Sequence, residues 1–261
     1  MKKNKHILMM VVAVLVIQTV TAATRTWTGG TSTNWTTTTN WQGGNAPANG
    51  DDVIINSGST FYPVLTSTSR TMRSLTMNGG TFTMSSGTLN ISQSINVLGG
   101  TFNGASGTIN VSNNLVVDGG TFNAGSGNIN VSNAFTLGSG TYIASSGDLS
   151  ASDIEIDGGT FTGSTGDLDA NVFTITGGTM SIRGNTIFLG NDFIIDGGSV
   201  SVNTADLNID NDLFLISGTL DMNNFNLNVE DDLNFEGATM TDFANVTTVN
   251  MILDFSGSFT L

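Results

Sequence analysis

The sequence predicts an all-β fold, a parallel β-helix (β-solenoid) of about 20 residues and three short strands per coil, closed at its start by an N-terminal cap. Two observations predict the solenoid, and a third predicts the cap. A Gly-Gly-Thr-Phe tetrad recurs at a nearly constant interval. Each interval holds three short runs in which apolar residues alternate with polar ones. The segment before the first tetrad lacks the repeat and contains all three tryptophans.

In chain order, residues 1–23 come first. Lys2, Lys3 and Lys5 precede an unbroken apolar run from residue 7 to residue 17, and the small residues Thr21, Ala22 and Ala23 follow. A positive start, an apolar middle and a small-residue end are the pattern of a secretory signal peptide. The run is too short to span a bilayer comfortably, and no later segment matches it, so the exported chain is expected not to cross a membrane. The leader carries all three lysines and the one histidine, His6. Without it, four arginines face 21 acidic residues, a net charge of −17 in place of −14. A surface of that sign lacks the basic footprint of a nucleic-acid binder and is repelled by anionic membranes. The chain has no cysteine, so the exported fold is expected to stand without disulfides.

Residues 24–71 are predicted to form the cap and the first coil or coils. A solenoid end leaves a core layer and strand edges open. Trp27, Trp35 and Trp41 are large enough to cover them. The alternative reading of the same three rings is an aromatic platform for binding sugar. Quoted in full, the segment's motifs are Trp27-Thr-Gly-Gly, Asn34-Trp35, Asn40-Trp41-Gln-Gly-Gly, Pro47, Gly50-Asp-Asp-Val-Ile-Ile55 and Tyr62-Pro63-Val64-Leu65. This run resembles the opening of large secreted or surface proteins of Bacteroidota-type bacteria. Those proteins in turn resemble autotransporter passengers and filamentous adhesins in carrying β-helical repeats after such an opening. The resemblance covers residues 25–65 closely and the repeats loosely. It implies export, a β-helical architecture, an adhesin-like role and a C-terminal sorting or anchoring domain.

Residues 72–261 are predicted as the β-helix itself. The tetrad stands at residues 79–82, 99–102, 119–122 and 158–161, with degenerate copies starting at 138, 177, 197, 217 and 237. Its threonine position recurs at 81, 101, 121, 141, 160, 179, 199 (serine), 219 and 239, in steps of 19 or 20. One strand of each coil follows the glycines, as in Thr101-Phe102-Asn103. A second is of the type Ile109-Asn110-Val111, and a third of the type Leu115-Val116-Val117. Apolar residues two apart share one face of a strand, so each strand turns a pair inward. Gly, Ser, Asn and Asp mark the corners. Stacked coils would align Phe82, Phe102, Phe122, Tyr142, Phe161, Met180, Val200, Leu220 and Met240 in one inner column. A β-sandwich or propeller is the competing architecture, but a 20-residue unit is too short for a four-stranded blade and its phase too constant for a sandwich. The sequence Ser256-Gly-Ser-Phe259 restarts the repeat. The expectation there is an open end that continues into a longer protein or docks on a partner.

Residues 24–261 hold no His, Lys or Cys. That removes Ser-His-Asp and Cys-His nucleophile systems and His- or Cys-ligated metals. Paired carboxylates, the chemistry of glycoside cleavage, remain as the enzymatic alternative. However, the Gly-His-Gly and Arg-x-Lys elements of β-helical polygalacturonases are missing, and Arg183 is the one arginine beyond Arg73. The expectation is therefore no enzyme, with a polysaccharide lyase or glycosidase as the residual reading. The corner between second and third strands grows acidic along the chain, ending in Asp210, Asp212, Glu230, Asp231 and Asp232. Stacked carboxylates could hold Ca²⁺; the plainer reading is a solvated acidic edge. Outward Thr-x-Thr/Asn pairs beside the aromatic column suit strands intrinsically, as does the column Asn90, Asn110, Asn130, Asn208 and Asn228, expected as a hydrogen-bonded ladder. Together these features lead to an expected exported, extracellular or cell-surface, non-enzymatic structural or adhesive solenoid. The alternative is a module binding polysaccharide or host cell-surface glycans, with Ca²⁺ as its candidate cofactor.

Overall fold

The computed structural model describes residues 22–66, 69–184, 187–248, 250–253 and 258–259. The predicted leader lies outside the described residues up to residue 21, and so do Ser256 and Gly257 of the final repeat restart. The chain is a parallel β-solenoid of about nine turns, each of roughly 20 residues. No α-helix occurs among the described residues; two single 3₁₀ turns lie in the cap, at Thr38–Asn40 and Gln42–Gly44.

The stack begins earlier than the tetrad repeat. The first strands are β1 (Thr24–Trp27), β2 (Asp52–Ile55), β3 (Val64–Leu65), β4 (Arg70–Met72) and β5 (Ser74–Met84). β1 pairs in parallel with β2, and β2 with β5, placing Val53 against Leu75 and Ile55 against Met77. One face of the solenoid therefore starts at Thr24, and the cap loops are insertions between its first rungs. From β5 this face continues through Ile95, Leu115, Phe135, Ile154, Phe173, Phe193, Leu213 and Leu233 in register.

The aromatic column forms as the repeat requires. Phe82, Phe102, Phe122, Tyr142, Phe161, Met180, Val200, Leu220 and Met240 are successive register partners. The Phe102 and Phe122 rings stack 4.4 Å apart and 3° from parallel, and Tyr142 and Phe161 4.8 Å apart. Each such pair adds about 0.5–1.5 kcal/mol beyond area burial. Behind the column runs a compensation of volume. The rings of Phe102, Phe122, Tyr142 and Phe161 are followed two residues later by buried Gly104, Ala124, Ala144 and Gly163. The aliphatic Met180, Val200 and Leu220 are followed by Ile182, Val202 and Met222. From Phe102 onward, large beside small and medium beside medium even out the volume of successive coils, as close packing asks; Phe82, next to the cap, is followed by buried Met84.

The corners differ from the expected breaks. Third-face and first-face strands run on as single strands at Ser74–Met84, Ile95–Asn103, Phe193–Val202 and Leu213–Asp221. The bend is absorbed by a register shift, with Asn78 opposite Gly99. Glycine makes this feasible: Gly100 has φ +76°, and a Cβ there would lie 2.2 Å from the Gly80 carbonyl oxygen. The second face is also less uniform than the repeat suggests. Its ladder runs from Met72 through Ile91, Val111 and Val131 to Ala151, and on from Leu149 to Leu168 and Ile187, whereas Leu207–Ile209, Leu227–Val229 and Val246–Thr247 form a separate three-stranded sheet.

Candidate functional site

The three tryptophans form a closed cluster at the start of the aromatic column. Trp27 and Trp41 meet edge-to-face at 4.9 Å, Trp35 and Trp41 at 4.6 Å, and Trp35 meets Phe82 at 5.9 Å. Two of the indole N–H groups are used internally: Trp27 Nε1 donates to the Phe61 carbonyl and Trp41 Nε1 to the Trp35 carbonyl, both at 2.7 Å. All three are at most 4% exposed. A stacking platform for sugar needs an open ring face, and none of these residues offers one. Their chemistry is that of an end cap.

Two polar residues that the periodicity did not single out hold the cap together. Asn40 is fully buried. Its Oδ1 accepts from the backbone N–H of Thr31 and of Ser32, and its Nδ2 donates to Ser32 Oγ and the Asn34 carbonyl. Asp51 is 5% exposed. Oδ1 accepts the Ala23 N–H at 2.9 Å, and Oδ2 accepts from Arg25 Nε at 2.9 Å and the Ala48 N–H at 3.0 Å. Burial pushes the Asp51 pKa up, but the bonds from Ala23, Arg25 and Ala48 and the Arg25 charge outweigh it and hold the carboxyl below the usual aspartate range. Both residues lie in the quoted opening run, but nothing in a linear sequence marks which of its polar side chains turns inward.

The acidic corner is stacked as expected. Asp212 Oδ1 accepts the backbone N–H of Asp232 from the next coil at 2.8 Å, and Asp192 Oδ1 accepts from Asn211 Nδ2 at 2.7 Å. At least part of this charge is thus spent on coil-to-coil hydrogen bonds. Asp206, at another corner, behaves alike: the Asn226 N–H and then its Nδ2 hold the Asp206 carboxyl below its ordinary value. Asp210, Glu230 and Asp231 lie on the same edge, but among the described residues no three acidic groups are arranged to hold a metal ion.

The asparagine column is a real ladder. Asn110 donates through Nδ2 to Asn90 Oδ1, Asn130 to Asn110, and Asn228 to Asn208, each at 2.8 Å. Between its two stretches the row changes character, from Asn130 to Ser150 to Asp169 in register. The short serine between two longer side chains opens a notch. A shallow groove of about 230 Å³ lies there, lined by the polar Asn128, Asn130, Asp148, Ser150, Asp167 and Asp169 and by the apolar Leu149. Asp148 is locked in its wall: Oδ2 accepts from Asn128 Nδ2 and Oδ1 from the Asp167 N–H. This carboxylate-and-amide groove was missed by motif reading, because it arises from a side chain shorter than its neighbours. A second, apolar pocket lies in the core where the column passes from rings to aliphatics, between Tyr142, Phe161, Met180 and Ile182. Burial there pushes the Tyr142 phenol pKa up. Among the described residues no helix is long and apolar enough to cross a membrane.

The family model described as "Domain of unknown function (DUF8693)" matches residues 26–156, half of the chain. That span takes in the cap, the Asp51 site and the first coils up to the groove. No curated protein and no solved structure matches the chain.

Proposed function

We propose, from the premise that this chain belongs to the DUF8693 family, that it is an exported, non-enzymatic structural or adhesive solenoid. It would serve as the stalk or the passenger surface of an adhesin-like assembly. The observation that carries this reading is the unbroken register of the aromatic face over nine coils, from Phe82 to Met240. An in-register parallel stack is a rod of ~45 Å at ~4.8 Å per coil. Its flanks carry rows of short polar side chains at a fixed pitch, a surface suited to repetitive contact. The test is a surface-binding and turnover assay on purified chain against neutral and acidic polysaccharides. The expected result is retention on a polymer or cell surface without release of reducing ends or unsaturated products. Product release that disappears in Asp148→Asn or Asp231→Asn would replace this reading with an enzymatic one.

A second reading is favoured by the groove on the second face. Hydroxyl, amide and carboxylate groups converging on a shallow notch are the chemistry that binds a polysaccharide chain through its hydroxyls. Ser150→Asn supplies the missing rung, fills the notch and extends the hydrogen-bonded row. On this reading it abolishes glycan-array binding while the fold persists. Binding unchanged in Ser150→Asn places the contact elsewhere.

A further inference from the structure

The Ala23 backbone nitrogen meets a carboxylate that is already committed to a cation. Ala22 is exposed and Ala23 half-buried. The Ala23 nitrogen lies 2.9 Å from Asp51 Oδ1, while Asp51 Oδ2 is taken by Arg25 Nε and the Ala48 N–H. One residue on, β1 enters the sheet, with Thr24 opposite Asp52, and the Ala23 carbonyl accepts the Asp52 N–H at 2.8 Å. Ala23 is thus held by the fold through both its backbone groups, while Ala22 before it is exposed. The preceding residues are Val20, Thr21 and Ala22, which place the small Ala22 at the first position before the Ala22–Ala23 bond and the branched Val20 at the third, one residue ahead of the boundary expected from the sequence.

We propose that the Ala22–Ala23 bond is the processing site, and that cleavage there delivers a free α-ammonium into the Asp51 carboxylate as a lock on the first coil. This rests on the export reading above. The step is a hydrolysis by a leader-cleaving endopeptidase: water adds across the bond, the Ala22 carboxylate leaves with the leader, and Ala23 gains the protonated amine. Chemically, the product suits the site better than the precursor does. An amide N–H donates one neutral hydrogen bond to Asp51, whereas an ammonium donates a charge-assisted one to a buried carboxylate. Removing the leader thereby strengthens the first rung, so the mature chain is more firmly closed than the precursor.

The sequence makes the test unusually clean. With the leader gone no lysine remains, so the α-amine is the one primary amine in the chain. The full chain is expressed with export, recovered from the envelope or medium, and its intact mass and N-terminal residues are determined. The expected mature start is Ala23. A start at Thr24 or at any other residue overturns the proposal and leaves the export reading standing. A retained leader overturns both. An amine-reactive ester is then applied at neutral pH to folded and to denatured chain. The folded chain is expected to label slower by about tenfold or more, the factor one charge-assisted hydrogen bond carries. Equal rates overturn the lock. Asp51→Asn, if it folds, is expected to bring the folded rate up to the denatured one; a rate still slow in the folded variant assigns the protection to something other than Asp51 and overturns it as well.

Discussion

At the scale of single residues, two positions carry consequences that their chemistry makes directly testable. The Asp51 carboxyl has a folded pKa below its unfolded value. A depressed carboxylate stabilises the fold above the unfolded pKa, near 3.9, and that contribution is lost as pH falls through the folded value. Asp51→Asn is therefore expected to melt at a lower temperature than the parent at neutral pH. The gap between the two melting curves should close on acidification below about pH 4. A gap that stays constant with pH would show that the side chain acts by shape and not by charge. Gly178 is the second position. It has φ +72°, and a Cβ there would lie 2.5 Å from the Gly158 carbonyl carbon. Backbone strain and overpacking together put the cost of Gly178→Ala at roughly 2–5 kcal/mol, read as a fall in the urea midpoint.

At the scale of the element, the asparagine row and the aromatic column stabilise the stack by different physics. Asn110 sits between Asn90 and Asn130 and makes a hydrogen bond to each. Asn110→Ala removes both and leaves Asn90 and Asn130 each without that partner, on an exposed or half-buried surface where water can replace it. The expected loss is about 1–2 kcal/mol by chemical denaturation. Phe122→Ala removes a fully buried ring that stacks on Phe102 and Tyr142, for an expected loss of about 3–5 kcal/mol. If the asparagine substitution proved as costly as the phenylalanine one, the outer row, and not the core, would be holding the coils.

At the scale of the whole molecule, charge is distributed unevenly. Three of the four arginines outside the predicted leader lie at residues 25, 70 and 73, whereas Asp51 and Asp52 are the only acidic residues before Asp118. Arg25 pairs with Asp51 and Arg73 with Asp52. From Asp118 onward the chain carries the other 19 acidic residues with one arginine, Arg183, among them. Self-repulsion in that half should be screened by salt, with a Debye length of ~10 Å at ~0.1 M. Raising NaCl from low to moderate concentration is thus expected to raise the melting temperature. Calcium is expected to do no more than salt of equal ionic strength, and a chelator to do nothing, because no three carboxylates among the described residues form a cation site. A melting temperature that climbs with micromolar Ca²⁺ would reverse that conclusion.

The sequence by itself determined the solenoid, its coil length, the inner aromatic column and the asparagine row. These are legible because a parallel stack repeats one local environment every coil, so alternation within a strand and the interval between strands together specify which residue lies above which. It also implied an end cap from the three tryptophans. Only the tertiary structure decided how that cap works. The indole N–H groups satisfied on Phe61 and Trp35, Asn40 turned inward, and Asp51 bound to Ala23, Arg25 and Ala48 all join residues that no repeat relates. The groove at Ser150 and the second-face sheet that separates near the later coils were hidden for the opposite reason. They are departures from the repeat, and whether a shorter side chain leaves a notch depends on the packed neighbours on both sides of it.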